Sequence, residues 1–204
     1  MPDAHVGNIT FDELKIPGSF LFRSRQFEDA RGTFWEALTQ SAISEAVGEL
    51  FPVAQVNAMT SVRGAIRGLH LSRVPPGQAK YLVCVAGEIR DAVADLRAGS
   101  PTFGRVEMVS LAGGDGQAIY IPPGVANGFI ALSESATVVY VTTRKFDPAN
   151  EFGINPVDPQ LNIDWRIDQP ILSKRDSDAP TLAELVANNE LPDFARCVST
   201  TLSG

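Results

Sequence analysis

Histidine and cysteine are the scarce residues of this chain, two of each in 204, and that scarcity closes off most metal chemistry. A protein-bound transition metal wants several His, Cys or carboxylate ligands converging. There is no His-x-His pair, and His5 lies in a polar N-terminal segment expected to be loose, which leaves His70 alone in the folded body. Cys84 and Cys197 are too far apart for a zinc spacing or a disulfide framework; both are expected to be free thiols in a reducing cytoplasm. No apolar run approaches the roughly 20 residues of a membrane-spanning helix. The N-terminus, with Asp3, Asp12 and Glu13, lacks the basic start and apolar stretch of a signal peptide. Also missing are the Gly-x-Ser-x-Gly elbow of a serine nucleophile and the Gly-x-Gly-x-x-Gly turn of a dinucleotide site. Positive charge is in deficit, at a formal net charge of -7. That argues against nucleic acid and anionic membranes as partners, while a local basic pocket can still hold a small phosphorylated ligand.

What is present is enough apolar material, 44% of residues, to bury one core, and the whole chain, 1–204, is read as one domain. Short runs rich in Val, Ile, Tyr and Thr, punctuated by Gly, Pro and Asp, predict strands over Ala54–Thr60, Ala65–Leu71, Ala79–Val85, Glu88–Asp95, Arg105–Ser110, Gln117–Ile121, Asn127–Ala131 and Thr137–Thr143. Another opens at Phe20, and Phe27–Gly32 reads as a turn leading into Thr33–Leu38. Ile89, Ala92, Val93 and Ala94 do not alternate cleanly with Asp91 and Asp95, so that strand's register is open. Helices are expected over Gln40–Glu49, with Ile43 and Val47 at i, i+4, and over Thr181–Asn189, capped by Thr181. Many short strands without alternating long helices mean an all-β sandwich or barrel with a few short peripheral helices.

The chemistry concentrates between Arg63 and Cys84. Arg63, Arg67, Arg73 and Lys80 surround His70 there, and a Pro-Pro-Gly turn interrupts the run. With metal, nucleophilic and dinucleotide chemistry set aside, proton transfer remains. Imidazole is the natural general base near neutral pH if a carboxylate orients it. A proton α to a carbonyl becomes removable if a cation such as Lys80 stabilises the enolate, and Tyr140 would suit an acid on the opposite face. From the residues alone, His70 reads equally as a core histidine, Tyr140 as a core aromatic and Lys80 as a surface charge.

The assembled motifs resemble the dTDP-4-dehydrorhamnose 3,5-epimerase family, deoxysugar epimerases of the cupin superfamily, over roughly residues 17–193. They are Phe27-x-Asp-x-Arg-Gly-x-Phe-x-Glu36, Gln55-x-Asn57, Arg67-Gly-Leu-His70 and Pro75-Pro-x-Gln78-x-Lys80, then Asp95-Leu-Arg-x-Gly-Ser-Pro-Thr-Phe-Gly104, Ile121-Pro-Pro-Gly124, Tyr140, Asp147-Pro-x-x-Glu151 and Leu172-Ser-x-x-Asp176. The resemblance implies a cupin-type antiparallel jelly roll, a homodimer with shared active sites, no metal and no cofactor. It implies a dTDP-4-keto-6-deoxyglucose-type substrate, with His70 and Asp176 removing the proton beside the C4 keto group, Lys80 stabilising the enolate and Tyr140 acting as acid. Arg67 and Arg175 would hold the diphosphate, and Gln55 and Asn57 would line the nucleotide and sugar pocket. Phe34, Asn127, Phe146 and Glu151 would complete the binding set, while Arg31 and Glu36 would reach into the neighbouring subunit's site.

Two positions depart from the family's common pattern. Asn127 stands where a histidine is usual, and Phe146 where a second tyrosine is usual. The first keeps hydrogen bonding but cannot titrate; the second keeps the ring and loses the hydroxyl. The altered wall suggests epimerisation at one carbon, C3 or C5, rather than both. Two other readings are a keto-sugar 3,4-isomerase, which shares the enolisation step, and a non-catalytic sugar-nucleotide binding protein.

Overall fold

The computed structural model describes residues 4–201; residues 1–3, part of the polar N-terminal segment, and 202–204 lie outside the described residues. In chain order the strands are β1 (Ala4–Val6), β2 (Ile9–Glu13), β3 (Phe20–Ser24), β4 (Phe27–Asp29), β5 (Gly32–Phe34), β6 (Gln55–Val62) and β7 (Ile66–Ser72). There follow β8 (Lys80–Ala86), β9 (Glu88–Asp95), β10 (Val106–Ala112), β11 (Gln117–Ile121), β12 (Val125–Ala131), β13 (Ser135–Thr142) and β14 (Glu151–Gly153). A seven-stranded sheet runs β1-β2-β3-β11-β8-β13-β6 and a five-stranded sheet β10-β9-β12-β7-β14, with β4-β5 a separate hairpin. The pairings within these sheets are antiparallel. The two sheets form the antiparallel jelly roll that the family resemblance implies, within the sandwich or barrel class that the strand pattern predicts.

Both sheets are covered on their outer faces as well, and this explains the strands whose apolar pattern does not alternate. Along β8, Leu82 and Cys84 join the core between the sheets with Ile119, Phe129 and Val138. Tyr81 and Val83, one residue out of phase, pack outward with Phe22, Tyr120, Ile43 and Phe51. β9 divides likewise: Ile89 and Val93 face between the sheets, whereas Ala92 and Ala94 face a third cluster with Ile66, Leu69, Leu161, Trp165 and Leu185. A strand buried on both faces has no polar phase to reveal its register. Asp91 therefore shares the inner face with Ile89 and Val93.

The expected strands from residue 54 to 143 are present, their ends displaced by at most two residues. The helix α1 (Gln40–Val47) stops where Gly48 takes a left-handed conformation and its N–H returns to Ser44 O at 2.9 Å. The helix α3 (Leu182–Ala187) carries the expected Thr181 cap, reinforced by Glu184 in a capping box.

Two expectations need correction. The segment around His5 is not loose: β1 pairs with β2, His5 opposite Thr10, because residues 9–13 place Ile9 and Phe11 in the outer core. Phe27–Gly32 is not all turn: Phe27–Asp29 and Gly32–Phe34 pair as strands about the turn at Ala30–Arg31, which sets Phe27 opposite Phe34. In addition, the charged Lys174–Ser177 segment forms a one-turn helix, α2, whose Ser173 cap accepts the Asp176 N–H at 3.1 Å. A last helix, α4 (Phe194–Thr201), and the short strand β14 have no counterpart in the sequence reading.

Candidate active site

The site depends on an irregularity in the pairing of β7 with β12. Arg67 lies opposite Phe129 and His70 opposite Asn127, so β7 has one more residue than β12 between the two pairs. This β-bulge puts Arg67 and His70, three apart, on the same inner face, where a regular strand would send them to opposite faces. Gly68 makes it possible. Its φ is 124°, and a Cβ there would lie 2.5 Å from Gly128 Cα and 2.7 Å from Asn127 O. Neither backbone can yield without breaking the pairing.

Arg67 and His70 open onto a cavity of about 250 Å³ that Lys80, Asn127, Tyr140, Phe146, Glu151 and Arg175 also line, with Met59, Leu82 and Phe129 as its apolar wall. His70 Nε2 lies 2.7 Å from Asp176 Oδ1, a contact made when α2 packs over β7. Burial alone would push the Asp176 carboxyl up, but the hydrogen bond and charge of His70, the Ser173 cap and Arg175 together hold it below the ordinary carboxylate range. A carboxylate at Nε2 favours the proton on that nitrogen and leaves Nδ1 as a base. The pair is an oriented imidazole with its counter-charge built in.

Lys80 comes from the inner phase of β8 and is 9% exposed. Its Nζ donates to His70 O at 3.2 Å and to Asn127 Oδ1 at 3.0 Å, and Asn127 Nδ2 donates to Asp91 Oδ2 at 3.3 Å. Burial lowers the Lys80 pKa, Glu151 and Asp91 raise it, and Arg175 lowers it further. The Tyr140 phenol is pushed up by burial and by Glu151, against the pull of Arg67, so it stays protonated at neutral pH. Glu151 itself pairs with Arg175 Nη2 at 3.1 Å.

The structure thus brings together His70, Asp176, Lys80, Tyr140, Arg67, Arg175, Glu151, Asn127 and Phe146. Lys80 is no surface charge, and Tyr140 lines the cavity rather than filling core. Gln55 and Asn57 lie beyond the cavity wall, on the Met59 face of β6. Gln55 Nε2 donates to Asn57 Oδ1 at 2.7 Å, and Gln55 Oε1 accepts the Phe146 N–H at 2.9 Å. Arg31, Phe34 and Glu36 are not brought to this cavity. They sit on or beside the β4-β5 hairpin, where Arg31 is bound to Asp29 and the Phe34 ring is 66% exposed. Sequence reasoning missed Asp91 and the apolar residues Met59, Leu82 and Phe129. A second cavity of about 260 Å³ lies between the Pro17–Phe20 turn, Tyr120, Pro122 and Phe194. It holds one buried cation, Arg97, already paired with Asp95, and no base beside an acid. Among the described residues no group of three or more His, Cys, Asp or Glu converges as a metal site would require.

The family model of dTDP-4-dehydrorhamnose 3,5-epimerase matches residues 13–184. The dTDP-4-dehydrorhamnose 3-epimerase of Streptomyces niveus is 43% identical over 189 residues, 93% of this chain and 91% of its own. The crystal structure of NovW, a 4-keto-6-deoxy sugar epimerase from the novobiocin biosynthetic gene cluster of Streptomyces spheroides, superposes with a TM-score of 0.91 at 41% identity, covering 95% of this chain and 97% of that one. ChmJ, a 3'-monoepimerase from Streptomyces bikiniensis solved in complex with dTDP-quinovose, gives a TM-score of 0.90 at 41% identity, with 93% and 96% covered. Its motifs, its jelly roll and these matches agree: the chain belongs to the dTDP-4-dehydrorhamnose 3,5-epimerase family.

Proposed function

We propose that this protein inverts one carbon, C3, of a dTDP-4-keto-6-deoxyhexose, with His70 as base, Lys80 as the cation facing the enolate and Tyr140 as acid on the opposite face. Family membership makes the chain an epimerase of dTDP-4-keto-6-deoxysugars; the residue roles and the single carbon are the further step. His70 Nδ1 takes the C3 proton, the C–H electrons form the C3–C4 double bond, and the C4 oxygen gains the charge. Asp176 offsets the imidazolium, a role consistent with its depressed pKa. The Lys80 ammonium stabilises the oxyanion in a site whose apolar wall strengthens that interaction, so no metal ion is invoked. Tyr140 then gives its phenolic proton to C3 from the other face, and both groups re-equilibrate with solvent.

The observation that carries this reading is the His70–Asp176 contact at 2.7 Å opening on the same cavity as a buried lysine and a protonated tyrosine. Restriction to C3 is supported by Phe146, which has no hydroxyl to offer a second acid or a second sugar pose, and by the Streptomyces niveus and ChmJ relatives, both 3-epimerases. A homodimer with shared sites is part of the proposal. Phe27 and Phe34 are 39% and 66% exposed on the hairpin beside Arg31 and Glu36, and Val56 and Val62 are 58% and 61% exposed on the edge strand β6. Exposed apolar edges of this kind favour strand-to-strand association.

The test is mass spectrometry of dTDP-4-keto-6-deoxyglucose incubated with the protein in deuterated water. One deuteron, at C3, is expected. Deuterons at both C3 and C5 would overturn the restriction to one carbon, and none would overturn His70 as a base for this class of sugar.

A further inference from the structure

Asp91 is a buried acid with no role in the reaction above. It is 0% exposed, has no ion-pair partner within contact distance among the described residues, and its Oδ1 has no hydrogen-bond partner. Its one hydrogen bond comes from Asn127 Nδ2, while Asn127 Oδ1 accepts from Lys80 Nζ. The amide has only one workable orientation. Turned over, it would set its oxygen against the carboxyl group and its NH2 against the ammonium.

We propose that Asp91 is a positioning residue: acting through the Asn127 amide, it fixes the direction of the Lys80 ammonium and favours its charged form without touching substrate. This rests on the reading of Lys80 as the enolate's cation. An imidazole at position 127 could change its own charge between its two neighbours. The Asn127 amide cannot, so here the polarity of the relay is permanent and any change of charge falls on Asp91 or Lys80.

The electrostatics agree. Burial pushes the Asp91 carboxyl up to about 8, against the pull of Asn127 and Lys80, so its charge, and the support it gives the ammonium, develops as pH rises through that value. Glu151 on β14, Arg175 on α2 and Asp91 on β9 act on Lys80, and Arg67 and His70 on β7 and Tyr140 on β13 line the same cavity. Of the two carboxylates that favour the charged lysine, Glu151 acts more strongly and is paired with Arg175, while Asp91 is the one joined to Lys80 through the Asn127 amide.

The chain has four lysines, Lys15, Lys80, Lys145 and Lys174, so lysine labelled with 13C and 15N gives a side-chain NMR spectrum simple enough to titrate without substrate. Lys80→Arg identifies the Lys80 signal. Asp91→Asn keeps an acceptor for Asn127 and removes the charge; Asn127→Leu keeps the acid and cuts the relay. Each is expected to lower the Lys80 midpoint by about one pH unit, and the double variant by no more than the larger single effect. In the epimerase assay at pH 9, where the Asp91 carboxyl is ionised, Asp91→Asn is expected to lower kcat about tenfold with KM within twofold. An unmoved Lys80 midpoint in both single variants, or additive shifts in the double, overturns the proposal. If the wild type incorporates no deuterium but the midpoint moves as expected, the function reading falls and the relay stands.

Discussion

The carboxyl group of Asp91 should leave a signature in the stability of the protein, separate from any effect on catalysis. Its ordinary value is 3.8, and burial, opposed by Asn127 and Lys80, raises it to about 8 in the folded chain. Between those values the folded protein holds a proton that the unfolded chain has released. The unfolded state then binds fewer protons, so stability falls as pH rises, by about 1.4 kcal/mol per pH unit for one such group. This is the reverse of a carboxylate held low by an ion pair. From pH 5 to pH 7 the loss attributable to Asp91 is about 3 kcal/mol, a large share of a typical folding free energy of about 5–15 kcal/mol.

The perturbation is Asp91→Asn, which retains the shape and an acceptor for Asn127 and cannot ionise. The NH2 it places at the former Oδ1 position finds no partner, but that penalty does not depend on pH and cancels in the comparison. Urea unfolding of both proteins at pH 5, 6 and 7, at one fixed protein concentration so that assembly contributes equally, gives two curves of stability against pH. They should diverge by about 3 kcal/mol over the interval, with the wild type losing ground. Parallel curves would refute the assignment of a buried proton to Asp91.

Four further outcomes follow from the same geometry. Asp176→Asn keeps the contact with His70 but not its charge, and deuterium exchange into the sugar should fall by about 10²-fold or more with KM little changed; exchange at the wild-type rate would remove the dyad from the chemistry. Tyr140→Phe should slow epimerisation while exchange remains measurable, because abstraction precedes reprotonation on the other face; equal loss of both would argue against a purely acid role. Asp95 accepts hydrogen bonds from Arg97 N, Nε and Nη2, Ser100 Oγ and Thr102 Oγ1 at 2.6–3.1 Å. Asp95→Ala strands the buried Arg97 and should cost about 3–5 kcal/mol in urea unfolding. Burial pushes the Asp95 carboxyl up, but those hydrogen bonds hold it below the ordinary 3.8, so its contribution is present above about pH 4 and lost as pH falls through the lower folded value. Gly68→Ala forces a Cβ to within 2.5 Å of Gly128 Cα and should cost roughly 3 kcal/mol or abolish folding; unchanged thermal stability and activity would show that the bulge is not needed.

How much of this was readable in the sequence depended on rarity and on period. His70 and Lys80 stood out because the chain has two histidines and four lysines, and the strands around them because their turns are chemically distinct. The one-residue insertion at Gly68 was not legible. A glycine within a strand is consistent with a bulge, a close approach or plain weakness, and only the pairing of Arg67 and His70 with Phe129 and Asn127 decides among them. A helix of four residues such as α2 is too short to show a period, so Asp176 entered the site through the family motif and not through its own segment. Arg31, Phe34 and Glu36 entered the same way, and the structure gives them no contact with the cavity.

Asp91 was the instructive miss, because strand geometry could have found it. Arg90 and Asp91 are adjacent opposite charges, which in sequence look like a solvated pair at a sheet edge. On a strand, neighbours project to opposite faces and cannot pair. Arg90 indeed turns outward, donating to Asp164 Oδ2 at 2.8 Å, and Asp91 turns in beside Ile89 and Val93. Once Glu88–Asp95 is accepted as a strand with Ile89 and Val93 in the core, the acid between them has to be inside. A buried acid needs either a partner or a proton. The partner lies across β12 at Asn127, where a histidine is usual in the family, so the departure at position 127 and the acid at position 91 belong to one constellation rather than to two separate curiosities of the sequence.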